Sequence, residues 1–306
     1  MVNTRVIFAP LIIHNRISMN KFLGLILVVS ATMFFGCSEE LPEVPENIHS
    51  AKDNVRAETH FFSMFDAAYD VIATNDKFRK SETSIIPSSV LLDFIDSSFK
   101  DGSGVSVSVD FGDVGFESPH GTLCQDGKYR AGKMHIFVNQ SIQSIDFRAV
   151  ITLDSVDGFY TGDGEHMVKL KGTTIITPAD LNAMRVQMKN ASLNDDGLVT
   201  KWTSDRVVRQ IKDAGDDGIW GDEYEVTGES SGINRDGKPY EVVITEPLVK
   251  RMESGCANTF VSGQLEVHSK TSSQQILLNY DPSGDAPCDA LIEANINGRK
   301  QVFETR

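Results

Sequence analysis

Val105-Ser106-Val107-Ser108-Val109-Asp110-Phe111 decides the fold class. Valine and phenylalanine take every second position, and serine and aspartate take the positions between them. A period of two puts alternate side chains on opposite faces of an extended chain, so the stretch is a strand with one buried face.

Towards the C-terminus the pattern recurs. Strand-like runs lie at residues 133–138, 144–153, 167–176, 183–188, 198–203, 206–211, 223–227, 240–245, 259–267, 275–280, 290–296 and 301–304. Turn signals separate them: Asp126-Gly127, Asp157-Gly158, Asp196-Gly197, Asp217-Gly218, Asp236-Gly237 and Asn297-Gly298. Asn-Gly and Asp-Gly between alternating runs are the strongest short-range hairpin cue, because glycine and asparagine accept the positive φ of a tight turn. We therefore expect a mainly β chain over residues 101–306, an antiparallel meander forming a sandwich or curled sheet. A faint internal echo links Val109-Asp110-Phe111-Gly112, Cys124 and Asp126-Gly127 with Leu278-Asn279-Tyr280-Asp281, Cys288 and Asn297-Gly298. The spacings differ between the two stretches, so a duplicated unit is an expectation that rests on the echo alone.

Upstream the period changes to that of a helix. Ala57, Phe61, Met64, Phe65, Ala68, Tyr69 and Ile72 recur at three- and four-residue steps, which gathers them on one face. Residues 50–100 read as a helical segment packing on the β-domain, with one N-terminal amphipathic helix capped by Ser50 or by Asp53-Asn54. Residues 88–99 fit a helix or a strand equally.

The first 36 residues read as an address. Residues 22–35 are uncharged and, apart from Gly24, Ser30 and Thr32, apolar, with Lys21 and Arg16 ahead of them. A basic start followed by a short apolar run describes a signal peptide, and a membrane-spanning helix needs ~20 apolar residues. Met19 gives a cleaner start than Met1. The run ends Phe34-Phe35-Gly36-Cys37, which resembles the lipobox of bacterial lipoproteins, with Cys37 as the lipidated residue. Each buried CH₂ of an acyl chain contributes ~0.8 kcal/mol, and more than one chain makes anchoring stable. Residues 37–49 form an acidic, proline-bearing tether. Its opening Ser38-Glu39-Glu40 resembles a signal for export to the outer surface.

The chain carries a net charge of −14. Such a surface repels nucleic acid and anionic lipid, so neither is an expected partner. Of the four cysteines, Cys37 is assigned to the lipid. Cys256 precedes one strand-like run and Cys288 follows the next. If those runs form a hairpin, both cysteines fall at one end, and we expect a Cys256–Cys288 disulfide in an oxidising compartment. Cys124 is then a free thiol.

No catalytic residue emerges. Gly228-Glu229-Ser230-Ser231-Gly232 matches the nucleophile-elbow spacing, but a turn and another strand follow it where the elbow requires a helix. The seven histidines are scattered, and His135 and His268 read as ordinary surface or half-buried strand residues. No cofactor is implied. Calcium is the one ion the residue types admit, at the acidic loop Asp213, Asp216, Asp217 and Asp222. That loop departs from the EF-hand pattern, and aspartate favours turns without any metal. Trp202, Trp220, Tyr224 and Tyr240 are candidates for a ligand-binding aromatic platform for sugar rings, although aromatics also favour strands for packing.

Asp110-Phe111-Gly112, Arg130-Ala131-Gly132-Lys133, Tyr224-Glu225-Val226-Thr227-Gly228, Ile244-Thr245-Glu246-Pro247-Leu248 and Cys256 with Val261-Ser262-Gly263 together resemble uncharacterised β-rich lipoproteins of the Bacteroidota. The likeness runs from about Val105 to the C-terminus. It implies a β fold and an outer-membrane location, and transfers no activity. The expected function is a lipid-anchored outer-membrane surface protein with a binding or envelope-structural role, its partner a glycan or an envelope protein. An unrecognised carboxylate-dependent envelope hydrolase is the alternative.

Overall fold

In the computed structural model the described residues are 48–73, 84–215 and 218–305. The leader, Cys37 and most of the tether lie outside them, as do Asp216 and Asp217.

One α-helix among the described residues, α1 (Ile48–Ala73), is the axis of the fold. Around it run β1 (Leu91–Asp96), β2 (Val105–Asp110), β3 (Thr122–Leu123), β4 (Tyr129–Val138), β5 (Ala149–Leu153), β6 (Phe159–Gly162), β7 (Met167–Asp180) and β8 (Ala183–Asp195). Then come β9 (Leu198–Lys212), β10 (Glu223–Ile233), β11 (Pro239–Arg251), β12 (Ser262–Ser269), β13 (Gln275–Asn279), β14 (Leu291–Ile296) and β15 (Arg299–Glu304). All belong to one 15-stranded antiparallel sheet, ordered as a meander with β1 and β15 at its edges. Val105, Val107 and Val109 are buried on β2, as the two-residue period requires. Residues 88–99, open between helix and strand in the sequence, contain β1.

Two places depart from a plain meander. β5 and β6 lie end to end, both paired with β4 on one side and β7 on the other. The break between them needs Gly132, at φ +78°, because a Cβ there would stand 1.7 Å from the Gly158 carbonyl oxygen. β9 is a single strand where the sequence suggested two. Thr200, Trp202, Ser204, Arg206 and Val208 all face inward along it, so a charged residue continues the buried series.

The sheet curls round α1. Side chains of β4, β9, β10, β11 and β15, and the tyrosine after β13, all reach the helix. Consequently nearly every residue of α1 is buried, on the polar as well as the apolar face. Phe61 stacks on Trp202 with ring centroids 5.4 Å apart, and Phe62 meets Phe260 edge-on at 5.3 Å. Burying each such ring contributes roughly 1.5–3 kcal/mol. The helix is thus both the core of the domain and the floor on which its polar groups meet.

Cys256 and Cys288 lie at disulfide distance, their Cα atoms 4.7 Å apart. β12 and β13 form the hairpin that brings them to one end. Cys124 is free and buried.

Candidate functional site

A helix wrapped on all sides must place its polar residues somewhere, and α1 carries several. A buried charge is tolerated when it is paired and hydrogen-bonded. Among the described residues, four cations are buried: Lys128, Arg130, Arg206 and Lys250. Arg206 of β9 pairs with Glu58 of α1. Lys250 of β11 lies 2.9 Å from Asp66 of α1 and also donates to the Ala257 carbonyl. Arg130 of β4 donates to Asp126 and to both the Ser63 carbonyl and hydroxyl. Asn54 accepts hydrogen bonds from the Trp202 indole at 3.0 Å and the Ser230 hydroxyl at 3.1 Å.

Lys128 is the exception. It is 9 % exposed, and its Nζ makes no hydrogen bond or ion pair with any described residue. Nearby Asp126 is already committed, to Arg130 and to the Lys128 backbone N–H. Burial pushes the Lys128 ammonium pKa down, with the Asp126 charge opposing. His60, one turn beyond Arg56 on α1, is 2 % exposed, and neither ring nitrogen has a partner among the described residues. Burial, and next the Lys128 charge, hold its pKa well below the usual histidine value, so the ring is neutral at pH 7. A neutral imidazole offers one donor and one acceptor.

Both side chains line the same cavity, of about 550 Å³. Its walls come from α1, the β3–β4 turn, the β6–β7 turn, the end of β8 and the segment after Cys256. Asn258 contributes a buried Oδ1 without a donor. At the rim, Arg56 and Asp195 form an ion pair at 2.5 Å. Asp163 Oδ1 accepts the backbone N–H groups of Glu165 and His166, and these amides together outweigh the opposing effect of its burial to lower its pKa. The volume lies within the range of small-molecule sites. Unpaired polar groups at its floor are the feature that such sites use to orient a ligand.

No protein-family model, curated protein or solved structure matches this chain. The cavity therefore has to be read from its own chemistry.

The residues singled out in the sequence lie elsewhere. Trp202 and Tyr240 are each 1 % exposed, and Tyr224 is 8 % exposed. Tyr240 lies across Gly232, where a Cβ would stand 2.5 Å from its ring. A hollow of about 590 Å³ is bordered by Trp202 and Tyr240, but Trp202 packs inward on the helix and Tyr240 is buried in the core, so they do not form an open stacking platform. Trp220 is half-buried against the core. In the acidic loop, Asp222 is buried and holds Gln210, Tyr224 and the Ala214 amide. Asp213 is exposed and caps the Gly215 amide. These two carboxylates serve the turn itself. Ser230 of the elbow-like motif sits inside β10, bonded to Asn54 and Arg206. His135 is half-buried, with Nε2 3.0 Å from Asp157 and Nδ1 3.0 Å from Ser108.

His60 and Lys128 were missed in the sequence. A lone histidine on a helix and a lysine after an Asp-Gly turn both read as solvated residues. No sequence signal marked them, because the burial of both faces of residues 48–73 follows from the sheet that wraps the helix.

Proposed function

We propose that the chain is a lipid-anchored outer-membrane protein whose β-domain binds a small polar molecule in the cavity beside α1. The buried His60, whose two ring nitrogens have no partner among the described residues, and Lys128, which makes no ion pair with any of them, carry this reading from the cavity floor. Unsatisfied polar groups cost about 1–3 kcal/mol each when buried, more when charged, and a ligand that pairs them recovers that cost. The lipobox-like Phe34-Phe35-Gly36-Cys37 and the acidic tether support anchoring, and a glycan fragment is the ligand class most compatible with an exposed envelope location. Binding is favoured over carboxylate-dependent hydrolysis because two of the three cavity carboxylates are engaged: Asp195 by Arg56, Asp163 by turn amides.

Native mass spectrometry of the full-length protein, extracted in detergent from its own envelope, tests the cavity. A small non-covalent adduct is expected, and it should be lost in Ala290→Trp, which fills the cavity mouth. Identical bare masses for both proteins would contradict the reading. Membrane fractionation tests the anchor: Cys37→Ser should release the protein, and its retention would exclude lipidation as the tether.

A further inference from the structure

We propose that the cavity takes a small hydroxylated organic anion, a sugar acid or sugar phosphate, with its negative group against Lys128 Nζ and a His60 ring N–H. This rests on the reading of the cavity as a binding site and names what enters it.

The charge arrangement points there. Three of the four buried cations have a carboxylate within an ion-pair distance, and the fourth, Lys128, faces the cavity. The charges of Asp126 and Asp163 reach this ammonium without an ion pair to either among the described residues, so a ligand anion supplies the close partner that the fold leaves out. His60 stands on the same floor with both nitrogens open, so its N–H donates to the same anion and its other nitrogen accepts from a ligand hydroxyl. Asn258 Oδ1 offers a second acceptor for a hydroxyl. A hydrogen bond to an ionised partner is about twice as strong as one between neutral groups, so the anionic end dominates recognition. The rim acids do not reach the floor groups by any ion pair. Asp195 is paired with Arg56, while Asp163, held ionised by two backbone N–H groups, and the exposed Glu165 keep the mouth negative, so an anion has to be gripped deeper, against Lys128 and His60. The whole surface is acidic, with a net charge of −14, so attraction for an anion has to be local.

Calorimetric titration of the full-length protein in detergent with glucuronate, glucose 6-phosphate and glucose tests the proposal. At least one of the two anions should bind ten times more tightly than glucose. Which of them does so distinguishes a carboxylate from a phosphate ligand. Lys128→Met should weaken that anion tenfold or more and leave glucose unchanged. Asn258→Asp, which keeps the side-chain shape and adds a negative charge, is the second variant and should also weaken the anion tenfold. If glucose binds as well as both anions, or neither variant affects the anion, the anion assignment fails while the cavity reading stands. Binding of none of the three overturns the assignment as well, and the native adduct then decides the cavity reading separately.

Discussion

Arg206 of β9 and Glu58 of α1 form an ion pair in which each side chain is only 1 % exposed. Tyr280 donates to the other Glu58 oxygen at 3.3 Å, and Ser230 accepts from Arg206 at 3.1 Å. Removing one member strands the other charge inside the curl. Arg206→Met and Glu58→Leu should each destabilise the fold by about 3–5 kcal/mol, whereas the two replacements together should recover most of that loss. Urea unfolding of the four proteins measures it. Equal and additive losses would mean the pair is not coupled.

Asp70, near the end of α1, accepts hydrogen bonds from Ser84 and the Ile85 amide. Burial, opposed by these bonds, still raises its pKa from 3.8 to about 6. The folded protein therefore holds this proton at pH values where the unfolded chain has released it. The resulting stabilisation is complete below pH about 4 and is lost as the pH rises through 6, on the order of 3 kcal/mol for this group. Asp70→Asn cannot ionise. Its stability relative to the parent should therefore rise by that amount between pH 4 and pH 8. A difference that does not change with pH would refute the assignment.

Cys256 and Cys288 are 32 residues apart in sequence, and their bridge closes a loop of that length. Replacing both with alanine should cost roughly 3–4 kcal/mol if the effect is mainly on unfolded-chain entropy. Burial pushes the Cys124 thiol pKa up, with Arg130 opposing, and withdraws it from solvent. Alkylation at pH 8 should therefore miss Cys124 in the folded protein and label it in denaturant. Rapid labelling under native conditions would show that the segment opens.

The alternation in residues 105–111 and the Asp-Gly turns were enough to read the antiparallel meander, because a two-residue period is a local property. The Cys256–Cys288 pairing was legible for the same reason, since it follows from one hairpin. The environment of α1 was not. Phe61, Phe65 and Tyr69 mark one apolar face, and Asp53 entered only as a cap, whereas the folded chain brings Arg235 of the β10–β11 turn, Arg206 and Lys250 to Asp53, Glu58 and Asp66. Those partners are more than a hundred residues away. Trp202 and Tyr240 were misread for a related reason: a strand period says that a side chain lies on one face, but not that a helix covers it.

A crystal structure of the full-length protein, purified from its own envelope, tests the central claim most directly through the density between His60 and Lys128. The account predicts a bound organic molecule, with an acidic group within hydrogen-bond reach of Lys128 Nζ and a hydroxyl near Asn258. Ordered water alone, satisfying His60 and Lys128 in a cavity unchanged by added glucuronate or glucose 6-phosphate, would contradict it.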